Sequence, residues 1–321
     1  MAVPQVRPTT SGTGFPRWAR ALLPAAFVLI WSSGYLVGTI GAHSGASLAL
    51  VFWRFLAAFL VLGAVSAVTR APWPTRPATY LHLLVIGSLL QTVQLGGVFL
   101  GLGLGVPAGL SSLILSAAPL VVAAAAVPLF SERLTAVQWA GLGLGLAGVG
   151  ISLSGSISGG GELAGYVCSG VALLGFAGGT LYQKRFGATV DLRTGTTVQL
   201  LGATITSFPL AVAHGGLALP MTAAALGSLA WLAVVNSIGA LMLLFVLLRK
   251  RPGGAATSLL YLVPPVTALI GVPLLGQSVG PAVFAGMTVS GAGVLLASGR
   301  VWRSARSAGT MPGNDGHREV P

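Results

Sequence analysis

At 321 residues the chain is long enough for two soluble domains, but 54% hydrophobic residues, only 7% charged residues and a mean hydropathy of +0.89 exclude that reading in favour of a membrane protein. The formal net charge of +12 does not describe a nucleic-acid surface, because the basic residues sit as short groups between apolar runs, as they would facing an anionic cytoplasmic leaflet.

The chain opens with Arg7, Arg17 and Arg20 ahead of an apolar run. That arrangement also describes a signal peptide, but the run from Ala21 to Ile40 is longer than an h-region and no clean small-x-small site follows. It is read as an uncleaved first span behind a cytoplasmic segment, residues 1–20. Apolar segments of about 20 residues match the hydrocarbon thickness, and ten can be drawn: 21–41, 46–69, 79–101, 107–130, 136–154, 163–183, 194–213, 222–248, 253–275 and 280–300. Between the fifth and sixth lies a linker, 155–162, rich in glycine and serine. After the tenth, residues 301–321 form a polar tail expected to be disordered. The single cysteine, Cys168, cannot form an intrachain disulfide and reads as a small buried hydrophobe.

The connections set the orientation. Basic residues occur before the first span and after the second, fourth, sixth, eighth and tenth: Arg70 and Arg76, Arg133, Lys184 with Arg185 and Arg193, Arg249 to Arg251, and Arg300 onward. The other connections carry no Lys or Arg, and all of the 17 basic residues except Arg54 lie on one side. Both termini are therefore expected in the cytoplasm.

The sequence also repeats. A shift of 145 residues lays Pro107 on Pro252, Pro119 on Pro264 and Pro128 on Pro273, and carries Ala147-Gly148-Val149 onto Ala292-Gly293-Val294. Two copies of one unit are expected, 21–154 and 163–300. Five spans per unit is an odd number, so the second copy enters the membrane from the opposite side and the units are inverted repeats. The predicted fold is all-α and integral to the membrane, with ten transmembrane helices in two inverted five-helix repeats. Pro119, Pro264 and Pro265 each remove a backbone hydrogen bond in mid-span. Broken helices at matching positions of two halves point to a transporter's binding site.

Polar and aromatic groups gather near mid-span. In the first half they are Trp31, Ser32 and Tyr35, then Gln91 and Gln94, then Ser116; in the second half Phe176 and Thr180, Thr204, Asn236 and Tyr261. Gln91 and Gln94, three apart, fall on one face of an α-helix. A cavity with aromatic walls and a few amides suits a small amphipathic solute, and the structural alternative is polar bonding between helices. Arg54 is the one basic residue within a span, about 12 Å below the outer face at 1.5 Å per residue. Its cost there argues for a role, either contact with an anionic group and gating or a structural bond to helix-end carbonyls. No Asp or Glu lies within a span, which disfavours a carboxylate proton relay and leaves His82 as the candidate for proton coupling, against an ordinary interfacial histidine.

Two other classes have less support. The GLGLAG run at 143–148 fits a dinucleotide pattern, but it sits within an apolar span with no strand before it. Glycines 101, 105, 141, 145, 286 and 293 are expected to serve close helix packing. An intramembrane enzyme would need H-E-x-x-H, paired aspartates within spans, or a serine with a membrane histidine; only His82 is available for the last. A non-transporting scaffold or sensor is the remaining alternative.

The runs IWSSGYLVGTIGAH, RFLAA from Arg54, SSLILSAAPLVVAAAAVPLFSERLTAVQWAGLGLGLAGVGISL and SLLYLVPPVTALIGVPLLGQ resemble the ten-helix EamA-type branch of the drug/metabolite transporter superfamily. Gln277 departs from it, standing where the family usually has a glutamate matching Glu132. The resemblance implies a non-enzymatic exporter of small metabolites, amino acids or drugs in a bacterial inner membrane, with a central cavity between the halves and without cofactor or metal. The expected partners are the solute and the lipid bilayer; a homodimer is compatible, and nucleic acid is not expected.

Overall fold

A backbone crossing hydrocarbon has no water to bond, so it must satisfy its own N–H and C=O groups. Among the described residues every regular element is accordingly a helix. The structure, a computed structural model, describes residues 17–156, 162–187, 190–239, 243, 258–277 and 279–298. The sequence readings for residues 1–16, 157–161 and 299–321, and for most of 240–257, lie outside them.

Helix α1 spans Arg17–Ala42 and α2 Ser47–Val68. The third crossing begins as α3, Pro77–Gly87, with proline at a helix start where its missing N–H costs nothing. It widens into a π-helical segment π1, Ser88–Val93, and continues as α4, Gln94–Gly103. The fourth is divided into α5, Ala108–Ser116, and α6, Ala118–Phe130. Next comes α7, Ala136–Ser156, which takes in two residues expected to be linker. In the second half α8 is Leu163–Phe186, α9 Leu192–Ala213 and α10 Ala223–Ala230, running into π2, Trp231–Gly239. A 3-10 turn at Ser258–Leu262 then leads into α11, Val263–Leu275, followed by α12, Pro281–Ser298. Joining the consecutive pieces, seven helices among the described residues are long and apolar enough to cross a bilayer, and Ala223–Ser237, Leu259–Leu275 and Pro281–Ala297 are shorter apolar helices.

The 145-residue shift seen in the sequence recurs in three dimensions. It carries both ends of α2 onto those of α9, and both ends of α6 onto those of α11. It also places π1 within π2, and the break before α6 on the break before α11. The left-handed residues ending the two broken crossings, Ser131 at φ 55° and Gly276 at φ 63°, correspond as well. Contacts respect the same exchange: α2 packs on α9, the fourth crossing on the ninth through α5 and α11, and α7 on α12, while α8 against α3 and π1 mirrors α1 against α10 and π2.

The α7–α12 pair is the closest. A Cβ added at Gly141 would lie 2.7 Å from the Gly293 carbonyl oxygen, and one at Gly286 would collide with the Gly148 carbonyl. Without side chains at these positions the backbones approach to dispersion contact, which replaces the hydrophobic drive that lipid removes. Gly105 is an exception to the packing expectation. It adopts φ +85° in the turn after α4, a conformation that costs glycine nothing.

Two connections are tied by side chains. Asp191 caps α9, accepting from the Arg193 backbone at 2.9 Å and from its guanidinium at 3.0 and 2.9 Å; that hydrogen bonding holds the carboxyl at about 2. Gln277 accepts from the backbone N–H of Ala108 at 3.1 Å, capping α5 from the other half of the chain. At this position a glutamine oxygen serves as the acceptor.

The same small change should have opposite effects on two faces of the packed pair. Gly286→Ala is expected to destabilise by about 1–3 kcal/mol through overpacking, whereas Gly143→Ala, with nothing within 4 Å, should stabilise by roughly 0.5–1 kcal/mol. Thermal unfolding followed by size-exclusion chromatography in detergent separates the two.

Candidate functional site

The break before α11 gathers most of the aromatic residues singled out in the sequence. Trp31 and Tyr35, four apart on α1, pack against the buried cluster of Phe27, Val28 and Val263, together with Leu259 and Leu260. Tyr35, Phe176 and Tyr261 also pack against the main buried core. Ser32 donates to the Val263 carbonyl at 3.4 Å, joining α1 to the break. Prolines supply no N–H, so the carbonyls of Leu260 and Tyr261, four residues before Pro264 and Pro265, have no α-helical donor, and neither does Leu115 before Pro119. Pro264 is buried and Pro265 half-buried, but Pro119 is exposed.

Hydrogen bonding divides the polar candidates into two groups. Ser116, Thr180 and Thr204 each bond a carbonyl of their own helix, those of Leu113, Phe176 and Leu200, at 2.7–2.8 Å. Asn236 is also engaged: its Nδ2 donates to the Ile30 carbonyl at 2.8 Å, and its Oδ1 accepts from Arg54. Trp31, Tyr35, Gln91, Gln94 and Tyr261 are half-buried, and their polar tips have no hydrogen-bond partner among the described residues. This second group holds the donors and acceptors still free for a solute. The expected single face of Gln91 and Gln94 does not follow, because Gln91 lies within π1 and Gln94 begins α4. The extra residue in a π turn shifts every following side chain around the axis.

Arg54 is 6% exposed. Its Nε donates to Ser237 Oγ at 2.9 Å and its Nη2 to Asn236 Oδ1 at 3.1 Å, both on π2, and its Cζ lies 6.0 Å from the Phe99 ring centre. Ser237 was not among the sequence candidates. The repeat could have identified it, since the shift of 145 sets Asn236-Ser237 on Gln91-Thr92.

At the end of the bundle bearing Lys184 and Arg185, His82 Nδ1 lies 2.9 Å from Tyr182 Oη. Its ring stacks on Phe186 with centres 4.8 Å apart and planes 9° from parallel. Lys184 pairs with Glu132 and lies 4.8 Å from the Phe130 ring centre. The end of α8 is thereby held to α3 and α6. At the other end a cavity of ≈ 310 Å³ opens between residues 44–46 and 214–220, with His214 on its wall. Trp53 Nε1 donates to the Leu217 carbonyl at 2.8 Å and anchors that connection. None of the mid-span candidates lines this cavity. Among the described residues no three His, Cys, Asp or Glu side chains come together as a metal site.

The chain matches known proteins along most of its length. The profile of the EamA-like transporter family matches twice, at residues 19–154 and 163–299. An Escherichia coli (strain K12) protein described as an uncharacterized inner membrane transporter, YedA, is 30% identical over 271 residues, covering 81% of this chain and 85% of that protein. A Salmonella typhimurium protein described as a probable amino-acid metabolite efflux pump is 31% identical over 159 residues, 49% of this chain and 51% of that one. A crystal structure shares the fold at a TM-score of 0.57 with 18% identity, covering 92% of this chain and all of its own.

Asn236→Ala removes one of the two acceptors of the buried Arg54 guanidinium, leaving Ser237, and a donor to the Ile30 carbonyl, which keeps Ser33, and is expected to destabilise by about 1–3 kcal/mol. Thr180→Ala, which removes only a bond within its own helix, should change stability by less than about 1 kcal/mol. Paired melting curves of the purified variants test the contrast.

Proposed function

Since the chain belongs to the EamA-like transporter family, we propose that it is a secondary transporter that exports small metabolites, amino acids or drugs across a bacterial inner membrane by alternating access. Ten spans in two inverted five-helix units, with both termini cytoplasmic, are the architecture of this reading. The observation that carries it is the pair of matched helix breaks, at Ala117 and Leu262, each followed by proline. They leave carbonyls without an α-helical donor at corresponding positions of the two halves, the second beside Trp31 and Tyr35, while the unpaired amides Gln91 and Gln94 lie on the third crossing. Such groups can bind a polar solute without a preformed charge, and a unit able to rock about them exposes the site to each side in turn.

Trp31, Tyr35 and Tyr261 are the proposed walls, with Gln91 and Gln94 as hydrogen-bonding groups. Phe176 closes the apolar side. Ser32, Ser116, Thr180 and Asn236 shape the site through the helices they join, and Pro119, Pro264 and Pro265 keep the broken crossings deformable. His82 and Tyr182, with the Glu132–Lys184 pair, tie α3, α6 and α8 together and in this reading hold one end closed, with His82 the proposed residue for proton coupling. The relatives named as a transporter and an efflux pump support transport rather than catalysis.

Efflux of labelled metabolites and toxic analogues, compared in cells with and without the protein, tests the reading. At least one solute should leave faster with the protein present, and Tyr35→Ala or Gln94→Ala should slow it at least tenfold at equal protein abundance. Equal efflux with and without the protein across the whole panel would remove the proposal. Orientation is checked separately in a Cys168→Ser background: a cysteine at position 305 should resist a membrane-impermeant maleimide in intact cells and react after lysis.

A further inference from the structure

Arg54 is a cation without a counter-ion among the described residues. Seven residues into α2 it lies about 10 Å beyond the helix start, at 1.5 Å per residue, and it is 6% exposed. The ion pairs among the described residues are Lys184–Glu132 and Arg193–Asp191, both at the ends of crossings. The two hydrogen-bond partners of Arg54, Ser237 and Asn236, are neutral. An arginine remains protonated in proteins, and a charge taken out of water without an opposite charge is costly.

The partners are fixed from behind. Ser237 Oγ donates to the Leu232 carbonyl at 2.9 Å and Asn236 Nδ2 to the Ile30 carbonyl at 2.8 Å, so each turns an acceptor lone pair toward Arg54. A guanidinium has five N–H donors in a planar fork. One on Nε and one on Nη2 are used, leaving both on Nη1 and the second on Nη2 without an acceptor among the described residues. Nη1 is not sealed in: the fully enclosed polar atoms lacking a partner among the described residues are Ser111 Oγ and Thr267 Oγ1. The open edge, Nη1 with Nη2, presents two parallel N–H donors that can pair with both oxygens of a carboxylate.

The repeat supplies a comparison within the molecule. The shift of 145 sets Arg54 on Gln199, Asn236 on Gln91 and Ser237 on Thr92. In that second arrangement Thr92 bonds the Ala203 carbonyl at 2.9 Å and Thr206 Oγ1 at 2.8 Å, joining π1 to α9 with no cation present. The packing of a π segment on its neighbour therefore does not require the arginine. The charge belongs to one half of the pathway only.

We propose that Arg54 is a solute-binding residue whose free fork pairs with a carboxylate, and that this transporter acts on solutes bearing one. The proposal rests on the transport reading and assigns its substrate class. Arrival of the carboxylate supplies the missing counter-charge, so acidic solutes are drawn to the half of the membrane that holds Arg54, Asn236 and Ser237. An amide of the same shape has no charge to offer and leaves the cation uncompensated.

The test uses the full chain in lipid nanodiscs with matched acid and amide probes: benzoate and benzamide, 4-methylpentanoate and 4-methylpentanamide, L-leucine and L-leucinamide. At least one acid should raise the melting temperature of the wild-type protein at a concentration tenfold or more below that needed by its amide. Arg54→Gln should abolish the difference, and Arg54→Lys, which keeps the charge but not the fork, should retain it more weakly. An amide matching its acid throughout, no acid acting on the wild type, or an acid preference surviving in Arg54→Gln would each overturn the assignment. If Arg54→Gln does not fold, the wild-type comparison and Arg54→Lys decide. Acid preference in nanodiscs with no protein-dependent efflux in cells would support the anion site while sinking the transport reading.

Discussion

The constraint on which this molecule depends is that a backbone in hydrocarbon must bond itself, and proline prevents it from doing so at chosen places. A helix that loses a donor has carbonyls left over. In most of the bundle that would be a defect. At the breaks before α6 and α11 it leaves carbonyls without an α-helical donor at two positions related by the repeat. The π segments act in a similar way. By widening a turn, π1 and π2 displace backbone and side chains toward neighbouring crossings, and both are used to bond a neighbour: Thr92 to α9 in one half, Asn236 and Ser237 to α1 and α2 in the other.

Irregular backbone in one part of the bundle needs regularity elsewhere. The α7–α12 pair provides it, with glycines meeting carbonyls across the seam and Ser152 bonding the Val283 carbonyl through it. This pair sits at the end of each repeat. The broken crossings and π segments pack around α1, α2, α8 and α9 instead. The tightest seam therefore joins the last helices of the two repeats, and the broken crossings lie elsewhere in the bundle.

Symmetry in shape is combined with asymmetry in chemistry. The positions of breaks, caps and π turns match across the repeat, but Arg54 faces Gln199, and Glu132 faces Gln277. Glu132 pairs with Lys184, whereas Gln277 caps α5. A duplicated scaffold gives a pathway two similar halves. Substitution of single polar residues then makes the two halves chemically different.

The family, the repeat and its period, and the placement of the breaks could be read from the chain alone. Segment length, charge alternation and aligned prolines are local or periodic properties, and they survive whatever the helices pack against. The aromatic group around Tyr35 and Tyr261 was also legible, because proline marks the place. What the chain alone could not separate was a polar residue with a partner from one without. Thr180 and Gln94 look equally free in the sequence; one bonds its own helix and the other bonds nothing among the described residues. Asn236 looked like a ligand for solute, and its amide is divided between Arg54 and Ile30. The π turns were invisible because they come from packing rather than from any residue type. Arg54 could be located by sequence but not interpreted, since its partners lie 182 and 183 residues away. Pairings over such distances arise only when the two halves fold onto each other, and tertiary structure alone decides which groups are left open.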